Sequence, residues 1–266
     1  MNGTHRTLLT GATGTLGRAL RSRLREAGHE VRAASRSPPT AGGAADRSDA
    51  ADVDWVELDL LDGTGLRSAV EGVDVVVHAA SAPRGDSEAV DIRGTERLLD
   101  AAAEADVSNV VYVSIVGVDE IPLSYYEHKL AAERSVEGSA VPSTIVRATQ
   151  FHPFVFDLLE AVSRLPIWPL PTEFRLQPID VGEAADAIVE RATPEPGGRV
   201  PDVGGPAART VGDLARAYRD ATGSRRPIVR LPLPGSTAAA FRSGAALCPD
   251  RTVGSVTWEE WLTAGE

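Results

Sequence analysis

The chain has 266 residues, 42% hydrophobic and 24% charged, a balance that excludes disordered and fibrous classes and leaves room for one large α/β domain or a nucleotide-binding domain with a smaller lobe. The net charge of -11 offers no basic stripe to a phosphate backbone, so no nucleic-acid partner is expected and the acidity reads as solubility. One cysteine, Cys248, excludes an intramolecular disulfide, the five histidines lack metal-ligand spacing, and no apolar run is long enough to span a bilayer. With a first strand so near the start, no signal peptide is expected, and the reading is a cytoplasmic protein with no metal and no membrane partner.

Arg6 to Thr10 reads as a short buried strand, and Leu16, Leu20 and Leu24 recur at helical spacing, with Ala19 and Ala27 on the same stripe. Between them runs Thr10-Gly11-Ala12-Thr13-Gly14-Thr15-Leu16-Gly17. Glycines at 11, 14 and 17 allow a tight turn, close approach to a pyrophosphate, and packing of helix against strand. The helix N-terminus adds unpaired N–H groups and a partial positive charge. The order of strand, glycine turn and helix predicts a dinucleotide site over Gly11, Thr13, Gly14, Thr15, Leu16 and Gly17; an ordinary glycine turn is the alternative. Glu30 to Ser35 is the second strand. An NAD site usually places an acid at its end to hold the ribose, but here Ser35 and Arg36 stand there, a hydroxyl and a cation suited to the 2'-phosphate of NADP. A solvated surface arginine is the other reading of Arg36.

Ser37 to Asp54 lacks periodicity and is rich in Pro, Gly, Ala and Asp, which predicts a long loop over the adenosine end of the cofactor. Trp55 to Leu58 is read as the third strand, followed by Asp59 and Leu60, suited either to an adenine contact or to starting the next turn. Val73 to Ala79 is a continuous apolar run, as in a parallel strand buried on both faces. It ends in His78-Ala79-Ala80-Ser81, where Ala79, Ala80 and Ser81 would let the nicotinamide-side ribose pass and His78 is read as structural. Asp91-Ile92-Arg93-Gly94-Thr95 opens a helix predicted to run to about Ala105. Val110 to Ser114 is the fifth strand, so strands and helices have alternated in the manner of a doubly wound parallel sheet. In such a sheet Ser114, Ala80 and the glycine turn face one cleft.

Tyr125 and Lys129 stand four residues apart in a helical pattern and so share a helix face. An ammonium beside a phenol favours the phenolate, which makes the tyrosine a usable proton donor or acceptor near neutral pH. A surface tyrosine with an amphipathic lysine is the bland alternative.

The glycine spacing G-x-x-G-x-x-G and the pair Tyr125/Lys129 resemble the short-chain dehydrogenase/reductase (SDR) proteins of the extended and atypical types. Asp91 stands where the extended type has an Asn before its Gly-Thr. Ser143-Thr144-Ile145-Val146-Arg147-Ala148-Thr149-Gln150-Phe151-His152 and Gln177-Pro178-Ile179-Asp180-Val181 are similar to the NmrA-like atypical SDR proteins, and the resemblance covers nearly the whole chain. It implies a Rossmann-like α/β fold, an NAD(P)-binding region over 1–150, and a small interleaved substrate-binding region over 151–266. It also implies NADP, or less favourably NAD, as cofactor. Some such proteins are reductases and others redox-sensing regulators.

In such proteins the region after the sixth strand builds the substrate pocket, so the aromatic and proline-rich stretch from 150 to 182 implies either an apolar or aromatic-walled cleft for a small apolar or aromatic substrate or plain core, with Gln150, His152 and Arg175 as polar groups near the cleft or structural. Helical patterns cover Gly182 to Ala192 and Val211 to Thr222, a late strand Ile228 to Leu231 and a short helix Ala238 to Leu247. Trp258 and Trp261 are expected to pack back on the body. The reading is an NADP-dependent oxidoreductase in which Tyr125 protonates a developing oxyanion, Lys129 tunes Tyr125 and binds ribose, Ser114 holds the carbonyl oxygen, and Asp91 organises water behind Lys129. A sugar-nucleotide epimerase or dehydratase and a cofactor sensor without turnover are the alternatives. The substrate, the reaction direction and the oligomeric state stay open.

Overall fold

The computed structural model describes residues 5–39 and 53–264, so most of the loop expected between Ser37 and Asp54 lies outside the described residues. In chain order come β1 (Arg6–Thr10), α1 (Thr15–Glu26), β2 (Glu30–Ser35), β3 (Asp54–Glu57), α2 (Leu66–Val70) and β4 (Val75–His78). A π-helix (Glu88–Gly94) runs directly into α3 (Thr95–Glu104). Then follow β5 (Asn109–Ile115), α4 (Ser124–Glu137), β6 (Ser143–Ala148), α5 (His152–Ser163), β7 (Trp168–Leu170), β8 (Arg175–Leu176), α6 (Val181–Val189) and β9 (Gly198–Arg199). The last elements are β10 (Arg209–Thr210), α7 (Val211–Ala221), β11 (Ile228–Arg230), α8 (Ser236–Ser243) and α9 (Trp258–Ala264).

The expected doubly wound sheet is present, with seven strands in the order β3-β2-β1-β4-β5-β6-β9. β1 pairs in parallel with both β2 and β4, and β2 with β3, β4 with β5 and β6 with β9 are parallel too. The chain builds outward from β1 to β3 and then crosses back to β4. That reversal puts a crevice outside the C-terminal ends of β1 and β4, where such sheets take their ligands. All four residues of β4 and the first six of β5 are buried, which explains why both strands read as unbroken apolar runs.

Two compact units make up the described chain. The first takes in residues up to Ser114, then Glu127–Val146 and Ala185–Val200. Its core joins Leu8, Val76, Val110 and Ile145 of four neighbouring strands to Leu66 and Ala69 of α2, Leu98 and Ala102 of α3, and Ala132 and Val136 of α4. Leu8 and Leu98 are wholly buried, and each such side chain contributes roughly 1.5–3 kcal/mol. On α1 the predicted stripe of Leu16, Leu20 and Leu24 is buried as expected.

The second unit comprises Ile115–Tyr126, Arg147–Ala184 and the chain from Pro201 onward. It holds two small sheets, β7 with β11 in parallel and β8 with β10 antiparallel. Helix α7 starts at a capping box, with the Thr210 hydroxyl accepting from Asp213 N–H and the Asp213 carboxylate accepting from Thr210 N–H. An aromatic cluster binds this unit: Trp258 stacks on Trp261 with centroids 5.6 Å apart, and Phe156 meets both Trp261 and Tyr218 edge-on. Trp258 Nε1 donates to Leu214 O at 3.1 Å, so the tryptophan pair packs on helix α7 of its own unit. Cys248 is buried, and burial pushes its thiol up to about 12, in keeping with a structural residue.

The structure departs from the sequence reading in helix α5 (His152–Ser163), which was not anticipated, and in two further ways. The helix expected to open at Asp91 begins earlier, as the π-helix from Glu88, and becomes α-helical only at Thr95. Four strands of two or three residues, β7 to β10, were not anticipated, because so short a stretch carries no periodic signal. Among the described residues no helix is long and apolar enough to cross a membrane, and no group of His, Cys, Asp or Glu could hold a metal ion.

Candidate cofactor and catalytic site

In the first unit the glycine turn lies between β1 and α1. Gly11 has φ of +70°, and a Cβ there would sit 2.7 Å from Ala80 N and 2.8 Å from Ala79 C and O, so the turn is pressed onto the chain leaving β4. A Cβ on Gly17 would lie 2.0 Å from Gly11 O, which is how α1 comes so close to the turn. Gly14 N–H closes the turn on Gly11 O at 3.0 Å, and Thr13, Gly14 and Thr15 are exposed. Helix α1 has no side-chain cap and no acid in its first turn, leaving its first N–H groups free to meet an anion. These features suit a pyrophosphate.

At the end of β2, Arg36 is exposed and Ser35 half-buried, its Oγ accepting from Ser37 N–H at 3.2 Å. Beyond β3, the Asp59 carboxylate accepts from Leu61 N–H at 2.8 Å and starts a turn, while Leu60 is buried in the core and its carbonyl accepts from Arg97. Ala79 and Ala80 are half-buried against the glycine turn.

The π-helix brings three predicted residues together. Asp91, 1% exposed, accepts from Ser81 Oγ on Oδ1 at 2.6 Å and from Ala82 N–H on Oδ2 at 3.1 Å. Its Oδ1 is 3.7 Å from Lys129 Nζ, so the carboxylate faces the ammonium directly. Lys129 projects from α4, donates to Val113 O at 2.8 Å, and lies 4.1 Å from the centroid of the Tyr112 ring. Burial pushes Lys129 down from its ordinary 10.5 to about 8, against the charges of Asp91 and Glu133, which hold it up. Ser114, at the end of β5, is 3% exposed and its Oγ has no hydrogen-bond partner among the described residues.

Tyr125 lies one turn before Lys129 on α4 and is half-buried. Its neighbour Tyr126 is buried, and that burial pushes its phenol up to about 12, although the Gln150 side chain beside it pulls the other way. Among the polar groups weighed for the substrate side, Arg175 is exposed. His152 is fully buried beside Trp258 and Trp261, its Nε2 on Val256 O at 3.1 Å. His152 therefore belongs to the second unit's core.

Sequence reasoning missed two features of this network. Glu133, one turn after Lys129 and 2% exposed, adds a second acidic charge, and its i+4 spacing was a readable signal. Lys129 is also the only lysine among the 27 basic residues. Everywhere else the chain uses arginine, so the lysine stands out by composition alone.

The chain matches the family model described as NAD(P)H-binding over residues 11–153. Cinnamoyl-CoA reductase 1 of Petunia hybrida is 36% identical over 115 residues, covering 41% of this chain and 34% of that protein. The 3 beta-hydroxysteroid dehydrogenase/Delta 5-->4-isomerase of Mycobacterium tuberculosis is 31% identical over 160 residues, 49% of this chain and 42% of that one. An NADPH-dependent quinone oxidoreductase from Escherichia coli, solved with NADPH, superposes with a TM-score of 0.81 at 19% identity over 97% of this chain and 99% of that one. The matched stretches span from 12% to 54% of the lengths of the curated relatives.

Removing Asp91 should take from the buried ammonium one of its two opposing charges. Asp91→Leu is expected to cost roughly 3 kcal/mol at pH 7, the scale of a broken buried pair. The cost should shrink at pH 9, because folded Lys129 loses its proton near 8 while the unfolded chain keeps it to about 10.5. The unfolded chain then binds more protons, and stability from this group rises with pH. Urea denaturation at both pH values checks this, and an equal cost at each would contradict it.

Proposed function

This chain belongs to the NAD(P)H-binding family, and from that premise we propose that it is an NADP-dependent oxidoreductase of the atypical SDR type. It moves a hydride between nicotinamide and a carbonyl or quinone group of a small apolar or aromatic molecule. The observation that carries this reading is the buried Lys129, held by Asp91 and by Val113 O one helical turn after a half-buried tyrosine.

The residues fit the cofactor. The glycine turn and the start of α1 would take the pyrophosphate, Ser35 and Arg36 the 2'-phosphate, and Asp59 with Leu60 the adenine side. Ala79, Ala80, Ser81 and Lys129 would border the nicotinamide-side ribose. Bound NADPH supplies the hydride, and the protein supplies position and protons. Tyr125 Oη gives its proton to the substrate oxygen as negative charge develops there, and Lys129 Nζ, in its ammonium form, favours the phenolate left behind. Asp91, itself fixed by Ser81 and Ala82, keeps Lys129 aimed and charged. Ser114 Oγ, buried and without a partner among the described residues, has a hydrogen bond to give to the same substrate oxygen. Tyr126 suits none of this, because its burial opposes loss of the proton. In this reading nucleotide binding falls to the region up to residue 150, and substrate recognition to the remainder.

Two measurements test the proposal. For the cofactor, wild type should bind NADPH more tightly than NADH, and Arg36→Ala should reduce that preference by about tenfold or more, the scale of a charge-assisted hydrogen bond. Equal wild-type affinities in a fluorescence titration would defeat the NADP assignment. For the chemistry, Tyr125→Phe should keep NADPH affinity but cut turnover of a quinone or aldehyde by roughly 100-fold or more, as expected for a lost general acid. Full activity in that variant would remove Tyr125 from the mechanism. NADPH binding with no oxidation across a panel of quinones, ketones and aldehydes would favour a cofactor sensor.

A further inference from the structure

His78 ends β4 at the centre of the first unit's sheet, 1% exposed, and both of its ring nitrogens are engaged. Nδ1 lies 2.6 Å from Thr10 Oγ1 and Nε2 lies 2.9 Å from Thr95 Oγ1. The direction of each bond follows from the groups at the ends. Thr95 has one hydroxyl proton and donates it to Asp91 O at 2.6 Å, since a carbonyl can only accept. Thr95 Oγ1 must therefore accept from His78, which places the ring proton on Nε2. A neutral ring then has a bare Nδ1, which accepts the Thr10 hydroxyl proton, and Thr10 Oγ1 in turn accepts from Ala80 N–H at 3.4 Å. Burial, reinforced by the charge of Lys129, pushes the ring down to about 3, so it is neutral whenever the protein is folded near neutral pH.

One buried chain of hydrogen bonds thus starts at Ala80 N–H, runs through Thr10 and His78 to Thr95, and ends on the backbone of Asp91. Its ends have separate consequences. Thr10 is the residue before Gly11, so that arm fixes the glycine turn against the exit of β4. Asp91 presents its carboxylate to Lys129, so the other arm fixes the acid that holds the lysine. We infer that His78 is a positioning residue, held as the Nε2–H tautomer, that ties the glycine turn to the Asp91–Lys129 pair through two separable arms. This inference rests on the cofactor site proposed above but not on turnover.

The two arms can be cut one at a time. The side-chain oxygen of Asn falls near the place of Nδ1, and the amide nitrogen of Gln near that of Nε2. His78→Asn thus keeps the acceptor for Thr10 and loses the donor to Thr95, and His78→Gln does the reverse. Because Lys129 is the only lysine, ε-13C-lysine labelling yields one NMR signal, whose titration reports on Lys129 without assignment. The charged groups acting on it are Asp91 from the π-helix and Glu133 from its own helix, with His78 neutral on β4 and the Tyr112 ring on β5. Asp91 holds the lysine up, so loosening Asp91 must move the midpoint to lower pH.

The experiment titrates the lysine signal in cofactor-free protein and measures NADPH affinity at pH 7 for wild type and both variants. In His78→Asn the midpoint should fall by about half a pH unit or more, with affinity within about threefold of wild type. In His78→Gln the midpoint should stay in place while affinity falls by about tenfold, as for a lost hydrogen bond beneath the turn. Thr95→Val and Thr10→Val cut the same arms without touching the ring, and should reproduce the two patterns if a His78 variant fails to fold. Equal loss of affinity in both variants with an unmoved midpoint would reduce His78 to packing and overturn the inference, as would two variants like wild type. If wild type bound no NADPH, the cofactor reading would fail by itself, and the lysine midpoints would still judge the Asp91 arm: a fall in His78→Asn alone supports it, and no fall overturns it.

Discussion

Placing one ammonium group where water cannot reach it is the constraint around which the first unit is arranged. A buried charge is costly unless paired and hydrogen-bonded, and here Val113 O accepts a hydrogen bond while Asp91 and Glu133 supply opposing charge. The compensation is incomplete, since burial still outweighs attraction and leaves Lys129 at about 8. In the proposed mechanism it is the charged form, held through the neutral range, that acts on a phenol one turn away.

The surrounding elements follow from the need to hold that pair. The π-helix turns Asp91 inward, where Ser81 and Ala82 N–H occupy its oxygens, and β5 offers both the Val113 carbonyl and the face of Tyr112. A π-helical turn departs from regular α-helical hydrogen bonding and is frequent at functional sites, which fits its place here. The parallel sheet sets the same crevice beside the glycine turn, because β1 and β4 are neighbours at the point where strand order reverses. The buried polar chain through His78 joins these two features. Every member of it is satisfied, and such networks specify one arrangement of the core.

Much of this was legible in the sequence where the signal was periodic or chemical. The strands β1, β4 and β5 read as short apolar or buried runs of the right length, β2 as a strand with Val31 and Ala33 on one side, and α1 and α7 as stripes, because each has one burial pattern over several residues. The glycine turn was legible because a Cβ at Gly11 or Gly17 would collide with backbone, a constraint that leaves a visible mark in the residue type. The strands β7 to β10 are too short to carry a period, and the π-helix differs from an α-helix by one residue in its bonding, which no propensity records. His78 was read as structural, since a histidine's partners depend on residues 68 and 17 positions away in the chain. The direct pairing of Asp91 with Lys129 was likewise hidden, although the substitution of an acid for the family's Asn was the clue to it.

The claim that this buried pair governs proton delivery is tested most directly by the pH dependence of kcat in wild type and in Asp91→Asn. Lys129 is charged below its pKa, so wild-type turnover should be level in the neutral range and fall as pH rises past about 8. Removing the Asp91 charge lowers the lysine further, so the limb should move to lower pH in the variant while the tyrosine remains in place. An Asp91→Asn limb that coincides with that of wild type would contradict the claim, because the acid would then have no hold on the lysine that the chemistry uses.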